Sequence, residues 1–190
     1  MFARTERLLL RPGWPEDAAA LARSIGEQAI VRNLATAPWP YAIEDAEEFL
    51  RGESRAGEVN LLVLRRTLRA PQLIGGAGLR READGGFELG YWISRRHWGL
   101  GYATEAAEAV VTMARGLGIA LLRAGHFIDN PASGRVLAKL GFQPAGAIVQ
   151  RYSRGRGEKA AFRPLELSLS ASAVQPGDDP SLPVAQMIAA

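Results

Sequence analysis

The sequence has no cysteine among its 190 residues, which excludes disulfides, thiolate nucleophiles and zinc sites built on thiolates. Its only histidines, His97 and His126, stand without further ligand candidates at useful spacing, so no metal is expected. Long apolar runs are also missing. No segment approaches the roughly 18 continuous apolar residues of a membrane helix, and the apolar run in MFARTERLLLRP is too short for a signal sequence. No membrane association and a cytoplasmic setting are the expectations. Two nucleotide-binding signatures fail as well. No lysine follows Gly101 as a Walker loop requires, and Thr104 stands where a dinucleotide fingerprint places its third glycine. No internal repeat is visible.

What is present is the composition of a soluble globular domain, 47% hydrophobic and 23% charged, at a length that one core can serve. We read one domain over residues 1–169. Residues 170–190, SASAVQPGDDPSLPVAQMIAA, are rich in serine, proline and small residues and read as a loosely ordered tail. The net charge of +3, carried largely by arginine, suits an anionic ligand as well as a nucleic-acid surface.

Along the chain, TERLLLRP predicts a first strand, and Pro15-Glu16-Asp17 followed by AAALARSI predicts a helix with acidic residues at its start. A second helical stretch is predicted over residues 27–34. Pro38 and Pro40 break it, and helical spacing resumes through Ala46, Phe49 and Leu50. Strands follow at residues 60–65, 73–79 and 87–93, the last two joined by the turn READGG. A helix then places Ala103, Ala106, Ala107, Val110, Val111, Ala114 and Leu117 on one face and stops at Gly118. The strand ALLRAGHFI should run parallel to residues 87–93 through a right-handed crossover. A short helix at NPASGRVLAKLGF, stopped by Gly141, precedes a final hairpin of residues 145–152 and 162–169 around the basic turn SRGRGEK.

The most informative stretch is RRHWGLGYATEA, from Arg95 to Ala106. Gly99 and Gly101 stand where a chain would normally cap a helix with Ser or Asp. The pattern R-x-x-G-x-G, Arg96 to Gly101, lies between a strand and a helix start, where bare amides and the helix dipole favour an anion and missing Cβ atoms let oxygens approach. A tight turn that binds nothing reads equally well from these residues alone.

ELGYWI before the turn, GYATEA after it, NPASGRVLAKLGF about thirty residues later and TERLLLRP at the start together resemble the GNAT superfamily of acetyl-CoA-dependent N-acetyltransferases, and within it the branch that acetylates ribosomal-protein N-termini. The resemblance covers residues 5–169. It implies a mixed α/β fold, with a twisted sheet of about seven strands, helices on both sides, and two central parallel strands that splay to hold the pantetheine of acetyl-CoA. It further implies that the amides of Gly99, Leu100, Gly101, Tyr102, Ala103 and Thr104 cradle the pyrophosphate with Arg96 at the head of the motif. The backbone near Ile93 would pair with pantetheine like an added strand, and Asn130 would hydrogen-bond the cofactor arm. Asn130 followed by proline also reads as a helix N-cap, and the two roles are compatible. Many relatives carry a tyrosine at the position of Leu137 that protonates the leaving thiolate. This chain lacks it, and Ser133 becomes the substitute candidate.

For the acceptor amine, strand alternation puts Glu88 on one side with Gly90 and Trp92, where its carboxylate would take a proton through water if partly buried. A solvated strand residue is the plain alternative. Trp39 and Tyr41, in the proline-punctuated loop, are substrate-site candidates, with a core plug as the alternative. The basic hairpin residues Arg151, Arg154, Arg156 and Lys159 read by default as a solvated turn. The acceptor is thus expected to be a primary amine, either a protein N-terminus or a small molecule such as a polyamine, amino acid or aminoglycoside. A non-catalytic CoA-binding module and an RNA-binding protein remain alternatives. The oligomeric state stays open, a homodimer included.

Overall fold

The computed structural model describes residues 1–52 and 56–169, so the tail reading for residues 170–190 lies outside the described residues. Strand β1 (Ala3–Arg4) turns into β2 (Leu8–Arg11). A 3-10 turn over Pro15–Asp17 leads into α1 (Ala18–Ile25), and the Asp17 carboxylate fixes this start by accepting from the Trp14 N–H at 2.8 Å and the Arg11 guanidinium at 2.7 and 2.8 Å. Next come α2 (Gln28–Val31), α3 (Ile43–Arg51), β3 (Val59–Arg65), β4 (Gln72–Arg81) and β5 (Phe87–Ile93). A second 3-10 turn, Arg95–His97, precedes α4 (Tyr102–Gly116), β6 (Leu121–Phe127), α5 (Pro131–Lys139), β7 (Gln143–Pro144), β8 (Val149–Ser153) and β9 (Glu158–Ser168).

The nine described strands form one sheet in the order β1-β2-β3-β4-β5-β6-β9-β7, with β8 also on β9. Every pairing is antiparallel except β5 with β6, the pair joined through α4. That parallel ladder registers only Phe87 with Leu122 and Glu88 with Arg123, so the two strands part beyond Glu88. The expected splayed parallel pair is therefore present.

Alternation along β3 explains why its sequence is almost continuously apolar. Val59, Leu61 and Val63 pack into the core under α4 and α5, whereas Leu62 and Leu64 pack on the opposite face with Ala18 and Leu21 of α1 and Ala46 of α3. On the first face, α4 contributes Ala106, Ala107, Val110, Val111 and Ala114, all essentially inaccessible, and α5 contributes Leu137. Each fully buried leucine or valine here stabilises by about 1.5–3 kcal/mol.

Four differences from the sequence expectations have local causes. The strand count is nine rather than about seven because β1 and β7 are two-residue pairings too short to leave a periodic signal. Helix α2 is a single turn ending at Val31 rather than reaching residue 34, and the Arg32, Leu34 and Ala35 carbonyls accept from Ser153, Arg154 and Arg156 of the β8–β9 hairpin. Phe49 and Leu117, assigned to apolar faces, are 49% and 42% exposed, since α3 buries only a narrow stripe and α4 has ended before Leu117. The hairpin turn is tighter than SRGRGEK, with Ser153 already paired to Glu158.

Candidate active site

The gap between β5 and β6 organises the site. The Ser94 N–H donates to the Ile74 carbonyl on β4 at 2.7 Å, so backbone alternation turns the peptide groups of Tyr91 and Ile93 toward β6, where the ladder has ended. The Ile93 carbonyl accepts the Trp98 indole N–H at 2.7 Å. Together with a 2.8 Å bond between Ser94 Oγ and His97 Nδ1, this folds the Arg95–His97 turn back beside the gap. Burial, with Arg65 and Arg96 nearby, holds His97 below its ordinary pKa. Arg96 itself is exposed on this turn.

Gly99 and Gly101 then adopt φ of +75° and +81°, left-handed values that favour glycine. A Cβ on Gly99 would point into open space, and one on Gly101 would meet only the Arg7 guanidinium at 3.4 Å. Gly101 is the N-cap of α4, and no side chain caps this helix. The first-turn N–H groups have no partner within the helix.

Across the gap, α5 starts differently. Asn130 Oδ1 accepts the Ser133 N–H at 3.3 Å, and Pro131 occupies the first helical position. The Tyr91 hydroxyl lies 3.1 Å from the Ser133 carbonyl and 2.9 Å from Ser133 Oγ. A carbonyl only accepts, so Tyr91 donates to it and the Ser133 hydroxyl donates to the phenol oxygen. Burial pushes Tyr91 up to about 12, with the Ser133 bond opposing, so the phenol stays protonated at neutral pH. Leu137 is fully buried in the core, and the hydroxyl groups at this mouth come from Ser133 and from β5. Tyr91 was missed in the sequence reading. Alternation sets it opposite to Glu88, on the α4 side of the sheet, and that signal was available.

The other face of β5 carries Glu88. Arg80 lies directly across the β4–β5 ladder and donates to it at 2.5 Å, and Arg151 of β8 makes two further bonds, from Nη1 to Oε1 and from Nη2 to Oε2 at 2.8 Å. Burial pushes the carboxyl up, but Arg151 and then Arg80 outweigh it and hold it below its ordinary value. Glu88 is therefore neither solvated nor unpaired. It lines a cleft of about 460 Å³ with Arg123, Arg151, Tyr152, Phe162 and Glu166. Tyr41 packs beside Trp92 against the cores of α1 and α2 and is pushed up to about 12 by burial, with Asp45 and Glu48 adding to it. Trp39 is 41% exposed on the loop before it.

The basic hairpin corrects its default reading. Arg151 is bound to Glu88, and the Arg156 side chain, 8% exposed, donates to Asp129 at 2.8 Å through both Nη atoms and to the Arg32 carbonyl. Only Arg154 and Lys159 remain on the exposed side. Among the described residues there is no group of three or more His, Asp or Glu able to hold a metal, and no helix is long and apolar enough to cross a membrane.

A family model described as the Acetyltransferase (GNAT) domain matches residues 7–143. The chain belongs to the GNAT acetyltransferase family. Its similarity to an uncharacterized N-acetyltransferase, YoaA of Bacillus subtilis (strain 168), is 31% identity over 157 residues, covering 77% of this chain and 85% of YoaA. The GNAT-family acetyltransferase structure from Bacillus anthracis superposes with a TM-score of 0.75 at 21% identity, covering 90% of this chain and all of that one. The RimL ribosomal L7/L12 alpha-N-protein acetyltransferase, solved in complex with coenzyme A, superposes with a TM-score of 0.76 at 18% identity over 88% of this chain and 98% of its own. At these identities the two structures share the fold.

The residues fit a CoA-type ligand. The uncapped amides and the Cβ-free space at Gly99 and Gly101 suit a diphosphate, and the parted strands leave β5 an unpaired edge for an extended amide chain.

Proposed function

We propose that the chain is an acetyl-CoA-dependent N-acetyltransferase whose acceptors carry an α-amino group, with a protein N-terminus as the first candidate. The observation that carries this reading is the parting of β5 from β6, with the uncapped start of α4 on one side and the Tyr91–Ser133 hydroxyl pair on the other.

Acetyl-CoA supplies the acetyl group as a thioester. The amides of residues 99–104 hold its pyrophosphate, with Arg96 exposed beside them. The Ile93 N–H and the Tyr91 peptide bind the pantetheine amides, and the Ile93 carbonyl is kept out of that set by the Trp98 indole. Asn130 caps α5 with its oxygen and keeps its amide nitrogen for the cofactor arm. The Ser133 hydroxyl turns from the phenol oxygen to hydrogen-bond the departing thiolate, and Tyr91, still donating to the Ser133 carbonyl, holds the serine in place.

The acceptor approaches from the Glu88 and Trp92 face, past Trp39 and Tyr41. Attack needs a neutral amine, and at pH 7 that costs roughly 1.4 kcal/mol for an α-amine of pKa about 8 against roughly 4.6 for a lysine of pKa about 10.4. Glu88 accepts a proton through water with a basicity reduced by Arg151 and Arg80. A carboxylate so held supports an acceptor that needs little help, which favours α-amines over lysine side chains.

The test is incubation with acetyl-CoA and a panel of peptides with unblocked N-termini, amino acids, polyamines and aminoglycosides, following thiol release. The reading predicts turnover with α-amines above all. CoA binding without thiol release on any amine would leave a non-catalytic CoA module instead.

A further inference from the structure

Two sequence motifs far apart in the chain, TERL and GYATEA, meet at the start of α4. Glu105 lies one turn into that helix. Its Oε1 accepts from the Thr5 hydroxyl at 2.6 Å and from the Arg7 N–H at 2.9 Å, and its Oε2 accepts from Arg7 Nε at 2.7 Å. Arg7 Nη2 lies 2.7 Å from the same oxygen, and Nη1 donates to the Leu100 carbonyl at 2.9 Å. The guanidinium also sits over the Tyr102 ring at 4.6 Å and is the sole group that a Cβ on Gly101 would meet. Glu105 is 15% exposed and Arg7 42%.

We propose that Arg7 and Glu105 form a clamp that sets both the shape and the charge of the turn at residues 99–104 for the CoA pyrophosphate, making Arg7 a positioning residue for donor binding. The inference rests on the cradle reading above. The shape argument concerns Leu100. Its carbonyl is turned back onto Arg7, so the peptide between Leu100 and Gly101 has one settled orientation and its N–H faces the other way. The charge argument concerns Glu105. A carboxylate in the first turn of a helix competes with an anionic ligand for the positive dipole end. Here that charge is matched by Arg7 and by two donors of the β1–β2 turn, so the helix start is left for phosphate. Without Arg7 the carboxylate would oppose the ligand from one turn away.

The experiment measures CoA affinity by calorimetry in Arg7→Met, Arg7→Lys and the double variant Arg7→Met/Glu105→Gln, with melting temperature alongside and turnover of acetyl-pantetheine, which has no pyrophosphate. Arg7→Met should weaken CoA binding by about 10- to 30-fold, since a matched carboxylate becomes an opposing one at short range, and acetyl-pantetheine turnover should stay within about twofold of wild type. The double variant should recover part of the lost affinity because the opposing charge is gone. Arg7→Lys keeps the charge without the Leu100 contact, and should lose less than Arg7→Met. It also carries the test if Arg7→Met fails to fold. CoA affinity unchanged in both Arg7 variants, equal losses for CoA and acetyl-pantetheine, or a double variant weaker than Arg7→Met would each overturn the clamp. A Gly101→Val control separates the two levels: if it binds CoA as wild type does, the cradle itself is wrong, whereas if it loses CoA while the Arg7 variants do not, only the clamp is.

Discussion

Two helices begin on either side of the gap between β5 and β6, and they begin in opposite ways. Helix α5 is capped within the chain, since Asn130 accepts an amide of its first turn and Pro131 has no N–H to satisfy. Helix α4 begins at a left-handed Gly101 with no side-chain cap and with open space where a Cβ on Gly99 would stand. A glycine cap costs only a few tenths of a kcal/mol relative to a serine or asparagine. Stability therefore hardly distinguishes the two designs, and ligand access does. The capped helix mouth holds a hydroxyl pair in place, and the uncapped one leaves its first-turn amides without a side-chain partner, as the proposed pyrophosphate site requires.

The comparison breaks most sharply at Gly101. Gly101→Val should lower CoA affinity by about 100-fold or more, roughly 2.7 kcal/mol for the lost amide–phosphate bonds. The fold should persist, with a penalty of about 1–2 kcal/mol for a left-handed side-chain residue. Gly101→Asp sharpens the same point. It puts a carboxylate beside Arg7 at a left-handed position that Asp tolerates better than Val, so melting should fall less than in Gly101→Val while CoA binding falls. Calorimetry beside thermal melts reads both variants.

At the capped mouth the expected losses are in rate. Ser133→Ala should reduce kcat about 10-fold across the pH range with little change in CoA affinity, and Tyr91→Phe about 3-fold, as expected when a hydroxyl and its holder act on the leaving group. Tyr91 and Tyr41 each rise from 10 to about 12 on folding, so their contributions to stability are complete below pH 10 and are lost as pH climbs toward about 12. A phenol titration by ultraviolet difference spectra should show two late-titrating tyrosines in the native protein.

On the opposite face, Glu88→Gln should cost about 1–2 kcal/mol at pH 7, because Arg151 loses its partner in a partly buried site. That difference from wild type should be present above about pH 4.5 and shrink as pH falls through the lower folded pKa of Glu88. Turnover should fall at pH 7 and partly recover as alkali supplies neutral amine, earlier for a peptide than for lysine. Full activity of Glu88→Gln at pH 7 would assign proton acceptance to solvent alone.

The smallest effects fall on Asn130. Asn130→Ala should lose about 1 kcal/mol of capping, or about 2–4 °C in melting temperature. Asn130→Asp keeps the capping oxygen and should hold its melting temperature, and a several-fold weaker CoA affinity in that variant would show that the amide nitrogen serves the ligand.

Local pattern made much of this legible. Alternation located β5 to the residue, the proline and glycine punctuation bounded α1, α4 and α5, and Asn130-Pro131 announced a cap that the structure contains. The partners of the site residues were less accessible for a physical reason. Arg80 is the direct cross-strand neighbour of Glu88 and follows from the hairpin register, but Arg151 reaches it from a strand 63 positions away. Tyr91 and Ser133 are 42 apart, and Arg7 and Glu105 are 98 apart. Such pairs are set by the sheet order, which no window of local spacing contains. The same holds for Arg156, whose charge read as solvated until Asp129 was placed beneath it.

The central claim is that the bare start of α4, and not the capped start of α5, receives the pyrophosphate. It is tested most directly by amide NMR of labelled protein titrated with 3′-phospho-ADP, the nucleotide half of CoA. The account predicts saturable shifts concentrated at the N–H groups of Leu100, Gly101, Tyr102, Ala103 and Thr104, with Ala132 and Ser133 nearly unmoved. Saturable binding that shifts the α5 amides and leaves those of α4 in place would contradict it.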